Sequence, residues 1–248
     1  MHNNIKEMSY MLKLPNLKDN YDSLIEDATN LKLGYSEFLN LILEQECDVR
    51  KNNSISKKIT NARFPYKRFI SDLDYDVLDE SVSMKIKELS NLNFIDSGRN
   101  VVLIGNPGVG KTHVAIGLGI LACQQRKNVL YISIPNLITE LKEAMTLNQL
   151  TSYKRKFISY DLVILDELGY ISFDKVGSEL LFNILSQRSE NKSIIITSNI
   201  MFNKWADIFN DPIITTALVD RLTHKAHVLN IKSDSYRMRE TREINEAQ

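Results

Sequence analysis

The residues best suited to chemistry are the run "GNPGVGKT", which is Gly105, Asn106, Pro107, Gly108, Val109, Gly110, Lys111 and Thr112. It fits the pattern G-x-x-x-x-G-K-[ST] without a mismatch, with an apolar run before it and a helical pattern after it. The glycines permit a turn in which backbone N–H groups converge, and the helix that follows adds the positive end of its dipole. The spacing therefore predicts a nest for phosphates. Lys111 is expected on the β and γ phosphates and the Thr112 hydroxyl on Mg²⁺, with His113 beside them. A nest alone only binds. The run "DLVILDE" is an apolar strand ending in two acids, where Asp166 can hold the Mg²⁺ shell and Glu167 can orient and polarise an attacking water. Two carboxylates in tandem favour hydrolysis over transfer to a small molecule. The run "SIIITSN" ends in Ser198 and Asn199. Ligands of an open parallel sheet sit at the carboxyl ends of its strands, so Asn199 can touch a γ-phosphate or the water, although such residues also start turns.

A further candidate is an arginine in an awkward place. If residues 213–223 are helical, Arg221 falls on the face that carries Ile214, Ala217, Leu218 and Leu222. Asp220 points elsewhere, and the positions three and four residues away offer no acid. Arg221 must then reach a distant acid of its own chain or an anion on a neighbouring subunit.

These groups need a scaffold. From Asn100 onward, the runs "VVLIG" (101–105), "NVLYIS" (128–133), "DLVILDE" (161–167), "SIIITSN" (193–199) and "HVLNI" (227–231) are β-rich and mostly do not alternate. Strands apolar on both faces belong to a largely parallel sheet covered by helices, and the segments between them have helical spacing. A doubly wound α/β domain with a five-stranded parallel sheet is expected over residues 81–248. Its first helix should cross "SVSMKIKELSNLNFI". Before it, apolar spacing predicts helices over 17–33 and from Ser36 to the break at Pro65, giving a small all-helical unit over residues 1–65. Residues 66–80 read as a linker.

Composition is that of an ordinary globular chain: 248 residues, 43% hydrophobic and 25% charged, with no net formal charge. The two cysteines, Cys47 and Cys123, form neither a C-x-x-C pair nor a metal-ligand cluster, and reduced thiols in the cytoplasm are expected. No apolar run approaches the length of a membrane span, and the start lacks a signal pattern. The charge is unevenly spread. Seven basic residues, Arg50, Lys51, Lys57, Lys58, Arg63, Lys67 and Arg68, fall in a stretch with no acid, followed by the acidic "SDLDYDVLDE". Such a block can be a solvated face or a polyanion-binding element.

Taken in order, "GNPGVGKTHVA", "LVILDELGY", "LLFNILSQR", "TSNIMFNKWADIFNDP", "ALVDRLTHKAHVLNI" and "DSYRMRE", with "ARFP" ahead of them, resemble the IstB-type AAA+ ATPases that assist transposition of bacterial insertion sequences. The resemblance spans nearly the whole chain. It implies an AAA+ ATPase using ATP and Mg²⁺ that oligomerises on double-stranded DNA and recruits or stimulates a cognate transposase. It makes Asn199 the sensor of the γ-phosphate, Arg221 a finger acting in trans across a subunit boundary, and Arg237 a second sensor. It also turns the basic block into a DNA-contacting or transposase-contacting element and adds Lys154, Arg155 and Lys156 as DNA contacts. The family usually carries Pro where this chain has Asn106, a position that contributes mainly backbone. DnaC-type helicase loaders share the same ATPase core and are the alternative. A small-molecule kinase or nucleotide switch is a third reading, weakened by the want of an arginine-rich lid.

Overall fold

The structure, a computed structural model, describes residues 2–189 and 192–232. These form two compact units that divide between Lys57 and Lys58. The first unit holds α1 (His2–Met11), α2 (Pro15–Asn30) and most of α3 (Tyr35–Asn61). Helix α2 starts on a proline, whose missing N–H costs nothing at that position. The buried carboxylate of Glu46 on α3 accepts from the N–H groups of Asn16 at 3.0 Å and Leu17 at 3.3 Å. An acid from one helix thus satisfies the free donors and the dipole of another, while Tyr21 and Leu24 are buried beside it. Helix α3 stops at Asn61, short of the expected break at Pro65. Arg63 takes a left-handed φ of 64°, and a residue just ahead of proline disfavours the helical region.

In the second unit the segment read as a linker is packed. Ile70, Leu73, Tyr75 and Leu78 lie against the core, through two single 3-10 turns at Ile70–Asp72 and Tyr75–Val77. The helix expected over 81–95 is broken into α4 (Glu80–Leu89) and α5 (Asn93–Asp96), because Leu92 adopts a left-handed φ of 63° between them.

The remaining elements alternate: β1 (Val101–Gly105), α6 (Lys111–Gln124), β2 (Val129–Ser133), α7 (Ile134–Thr146), α8 (Leu150–Ser159), β3 (Leu162–Leu168), α9 (Lys175–Ser189), β4 (Ser193–Ser198), α10 (Ala206–Phe209), α11 (Pro212–Thr223) and β5 (His227–Ile231). The five strands form one parallel sheet in the order β2-β3-β4-β1-β5, so all five expected strands are present. Their side chains divide by the period of two. Val163, Leu165, Ile194 and Ile196 join Leu137, Leu141, Leu181, Ile184 and Leu218 on one face. Leu162, Ile164, Ile195 and Leu103 join Ile86, Val114, Leu118 and Cys123 on the other.

Both cysteines are free, and burial pushes the Cys123 thiol up to about 11. Arg188 is fully buried, donating to the carbonyls of Phe157 at 2.9 Å and Ser193 at 3.1 Å. It thereby joins the end of α8 to the start of β4, and burial lowers its guanidinium to about 10. Among the described residues no helix is long and apolar enough to cross a membrane.

Candidate functional site

Strand β1 delivers the chain to Gly105, whose neighbour across the sheet is Ile231 of β5. A Cβ at Gly105 would stand 2.3 Å from the Ile231 carbonyl oxygen, so the position admits only glycine. Gly108 (φ 84°) and Gly110 (φ 94°) make the turn, and Gly110 caps α6 without a side chain. The first N–H groups of α6 therefore remain free of a side-chain cap and converge at the loop, as phosphate binding requires. The Lys111 ammonium donates to the carbonyls of Gly105 at 2.8 Å and Asn106 at 2.7 Å, which holds a buried cation inside the loop. His113 turns away from it. Its Nε2 lies 2.8 Å from the Phe69 carbonyl, which accepts from it.

Asp166 is buried and meets three hydroxyls: Thr112 at 3.0 and 3.1 Å from its two carboxylate oxygens, Tyr131 at 2.5 Å, and Thr197. Thr112 comes from α6, Tyr131 from β2 and Thr197 from β4, the strands that flank β3. Burial and the bond to Asp166 push the Tyr131 phenol well above its ordinary range, so it keeps its proton and donates. Sequence reasoning singled out neither Tyr131 nor Thr197.

The next residue behaves differently. Pairing between β3 and β4 shifts register between Leu165 and Leu168, and Glu167 within that bulge has φ 68°. Its N–H donates to Thr197 Oγ1 at 3.1 Å and its side chain is exposed. A left-handed, non-glycine residue at a bulge is backbone strain, and bulges beside active sites re-aim side chains. Here consecutive acids end up with separate surroundings, Asp166 among hydroxyls and Glu167 in water.

A hydroxyl and a carboxylate are hard oxygen donors suited to Mg²⁺, which keeps several waters and takes phosphate oxygens as further ligands. Thr112 and Asp166 fit that description, and among the described residues no group of three or more His, Cys, Asp or Glu forms a dedicated metal cage.

Asn199 follows β4, and its Oδ1 is buried without a hydrogen-bond partner among the described residues. It lines a cleft of about 390 Å³ with Gly105, Asn106, Met201, Asn230 and Lys232. Gly169, with φ 116°, makes room for it: a Cβ there would stand 2.0 Å from Asn199 Oδ1.

Helix α11 begins as Asp211 accepts from the N–H groups of Ile213 at 2.9 Å and Ile214 at 3.0 Å, with Pro212 at its first turn. The buried Asn100 side chain ties its end to the sheet, donating to the Leu222 carbonyl at 3.2 Å and accepting from the Ile194 N–H at 3.0 Å. Leu218 and Leu222 are buried as expected, but Arg221 is exposed, with its guanidinium over the Phe182 ring. Arg237 lies outside the described residues.

The basic block is divided between the two units. In the first unit Arg50 donates to the Lys13 carbonyl at 2.7 Å and stands 3.7 Å from Glu46, while Lys51 and Lys57 are exposed. In the second, Lys58 donates to Asn128 at 2.7 Å and Arg63 pairs with Glu140 at 3.0 Å. Lys67 is exposed and Arg68 stacks over Tyr66. On α8, Arg155 and Lys156 are exposed and Lys154 is half-buried.

A family model described as IstB-like ATP binding protein matches residues 8–244. The chain is 34% identical over 248 residues, 100% of its length and 99% of the other's, to a protein of Geobacillus stearothermophilus named for ATP binding in insertion sequence IS5376. It is 36% identical over 231 residues, 93% of its length and 87% of the other's, to the Pseudomonas aeruginosa protein so named in insertion sequence IS21. Among solved structures, the DnaC helicase loader matches 74% of this chain and 99% of its own, with a TM-score of 0.55 and 21% identity. AMPPCP-bound DnaA from Aquifex aeolicus matches 75% of this chain and 56% of its own, with a TM-score of 0.58 and 19% identity. Those two likenesses establish the AAA+ P-loop fold, and the resemblance read in the motifs is borne out along the whole chain: it belongs to the IstB-like ATP-binding family.

Proposed function

We propose that the chain is a Mg²⁺-dependent ATPase of the cytoplasm that assembles on duplex DNA and acts with a transposase, hydrolysis ending the assembly. The observation that carries the catalytic part is the placement of Thr112 against Asp166 at 3.0 Å, with Glu167 turned out beside them. Lys111 offsets charge on the β and γ phosphates, and Thr112 and Asp166 would hold a Mg²⁺, which when bound would supply positive charge against the phosphate oxygens. Glu167 accepts a hydrogen bond from the attacking water and orients it. Asn199 presents its side chain to the terminal phosphate, and Arg221 of a neighbouring copy supplies a guanidinium from outside. Arg237 completes the nucleotide contacts.

The partners follow from kinship. Relatives similar along the full length are named for insertion sequences, which supports a role beside a transposase on DNA. Arg155 and Lys156, with Lys51, Lys57 and Lys67, offer exposed cations to phosphates. The DnaC likeness, at 21% identity, speaks for the fold and not for helicase loading.

The test is retention of the purified protein on duplex DNA at moderate salt, with ATP, with a non-hydrolysable analogue and without nucleotide. Nucleotide-dependent retention is expected, lost as ATP is turned over. Equal retention in all three conditions, or none in any, overturns the proposal, and capture of the replicative helicase in a pull-down would favour the loader reading.

A further inference from the structure

We infer that Tyr131 is a positioning residue for the Asp166 carboxylate, and that the "ARF" stretch, Ala62 to Phe64, sets where Tyr131 stands. The inference rests on the reading of Asp166 as a Mg²⁺ ligand.

Tyr131 lies on β2 in register with Ile164 of β3, two residues before Asp166. Residues two apart on a strand share a face, and a diagonal neighbour is within reach of an aromatic side chain. The Tyr131 hydroxyl covers the distance and donates to Asp166 Oδ2 at 2.5 Å. Thr197, from the strand on the other side, donates to Oδ1. The carboxylate is thus gripped by one oxygen from each flanking strand, which fixes the plane of the group as well as its place. Partners of this kind, one shell out from a metal, orient the ligand that touches it.

Tyr131 is itself held from the open edge of the sheet. Strand β2 is an edge strand, and the Tyr131 N–H donates to the Ala62 carbonyl at 2.8 Å. The Phe64 ring packs on the Tyr131 ring, with centroids 6.2 Å apart and planes at 58°. Between them Arg63 pairs with Glu140 at 3.0 Å, and Glu140 also accepts from the Tyr153 hydroxyl at 2.7 Å. Three consecutive residues are therefore fastened to two partners, and two of the three fastenings end on Tyr131. The path from Phe64 to Asp166 runs through a single phenol.

The experiment compares the affinity of a fluorescent ATP analogue in excess EDTA and in saturating Mg²⁺ for the full chain, for Tyr131→Phe, for Phe64→Leu and for the double variant, with thermal unfolding as the check on folding. Tyr131→Phe keeps the ring and removes only the donor. The affinity in EDTA should stay as in the unsubstituted protein, while the gain on adding Mg²⁺ falls about tenfold. Phe64→Leu should lower the same gain about threefold, and should add nothing once the hydroxyl is gone. A Mg²⁺ gain in Tyr131→Phe equal to that of the unsubstituted protein overturns the inference, as does an equal loss in EDTA. A Phe64→Leu effect that persists undiminished in the double variant overturns the part assigned to Phe64. If the unsubstituted protein itself shows no Mg²⁺ gain, the metal reading of Asp166 fails and this inference falls with it.

Discussion

The guanidinium carbon of Arg221 on α11 stands 5.5 Å from the centre of the Phe182 ring on α9. Among the described residues no carboxylate pairs with it. The ring accepts the cation by its face and leaves the planar fork of donors open to solvent. The helix that made this arginine look misplaced in the sequence buries Leu218 and Leu222 and leaves Arg221 exposed.

An arginine held this way can serve an anion on another copy. Arg221→Ala should therefore leave binding of a fluorescent ATP analogue by isolated subunits unchanged and lower phosphate release by assembled protein about a thousandfold. A variant that loses binding and unfolds early would make Arg221 a structural residue instead.

Glu167 offers a sharper separation of stability from turnover. Glu167→Gln should keep nucleotide affinity and cut turnover by about 10²- to 10⁴-fold, the range of a lost general base. Glu167→Gly should lose turnover equally, yet melt no earlier than the unsubstituted protein, because glycine takes the φ of 68° without strain. Rapid hydrolysis by Glu167→Gln would favour a kinase or switch.

Gly169→Ala tests the room made for Asn199. The added methyl would meet Asn199 Oδ1 at 2.0 Å on a backbone with φ 116°, so the amide must swing away. A stability loss of about 1 to 3 kcal/mol by thermal or chemical unfolding is expected, with turnover falling further than nucleotide affinity. Unchanged turnover would mean that Asn199 does not take part.

The basic residues divide by what they touch. Replacing Arg155 and Lys156 together by Ala should reduce the slope of log affinity for duplex DNA against log salt by about 2. Arg63→Ala, which breaks the pair with Glu140, should leave that slope alone and cost about 0.5 to 1 kcal/mol of stability. The reverse pattern would move the DNA-contacting surface to the end of α3.

The sequence was most legible where the chemistry is local. The phosphate loop is a contiguous motif, and strands apolar on both faces announce themselves as short unbroken runs, so both were found where expected. Asp166 and Thr112 could be named from their motifs, but their other partners could not. Tyr131 and Thr197 reach Asp166 only because β2 and β4 flank β3, a fact of sheet order that no single segment carries. The bulge at Glu167 is likewise a property of two paired strands, and nothing in "DELGY" alone marks it. Arg63 and Lys58 looked like parts of a basic run because Glu140 and Asn128, which bind them, lie far along the chain. The packing of residues 66–80 was hidden because five acids share that segment with its scattered apolar anchors Ile70, Leu73, Tyr75 and Leu78.

Strand β5 and the phosphate loop meet at Gly105 with no side chain between them, the Ile231 carbonyl resting where a Cβ would be. Bare backbone against bare backbone leaves no cushion to absorb a displacement. Bulk added at Gly105 would have to push the last strand away, so the residue that opens the phosphate loop also sets how closely β5 can lie against β1.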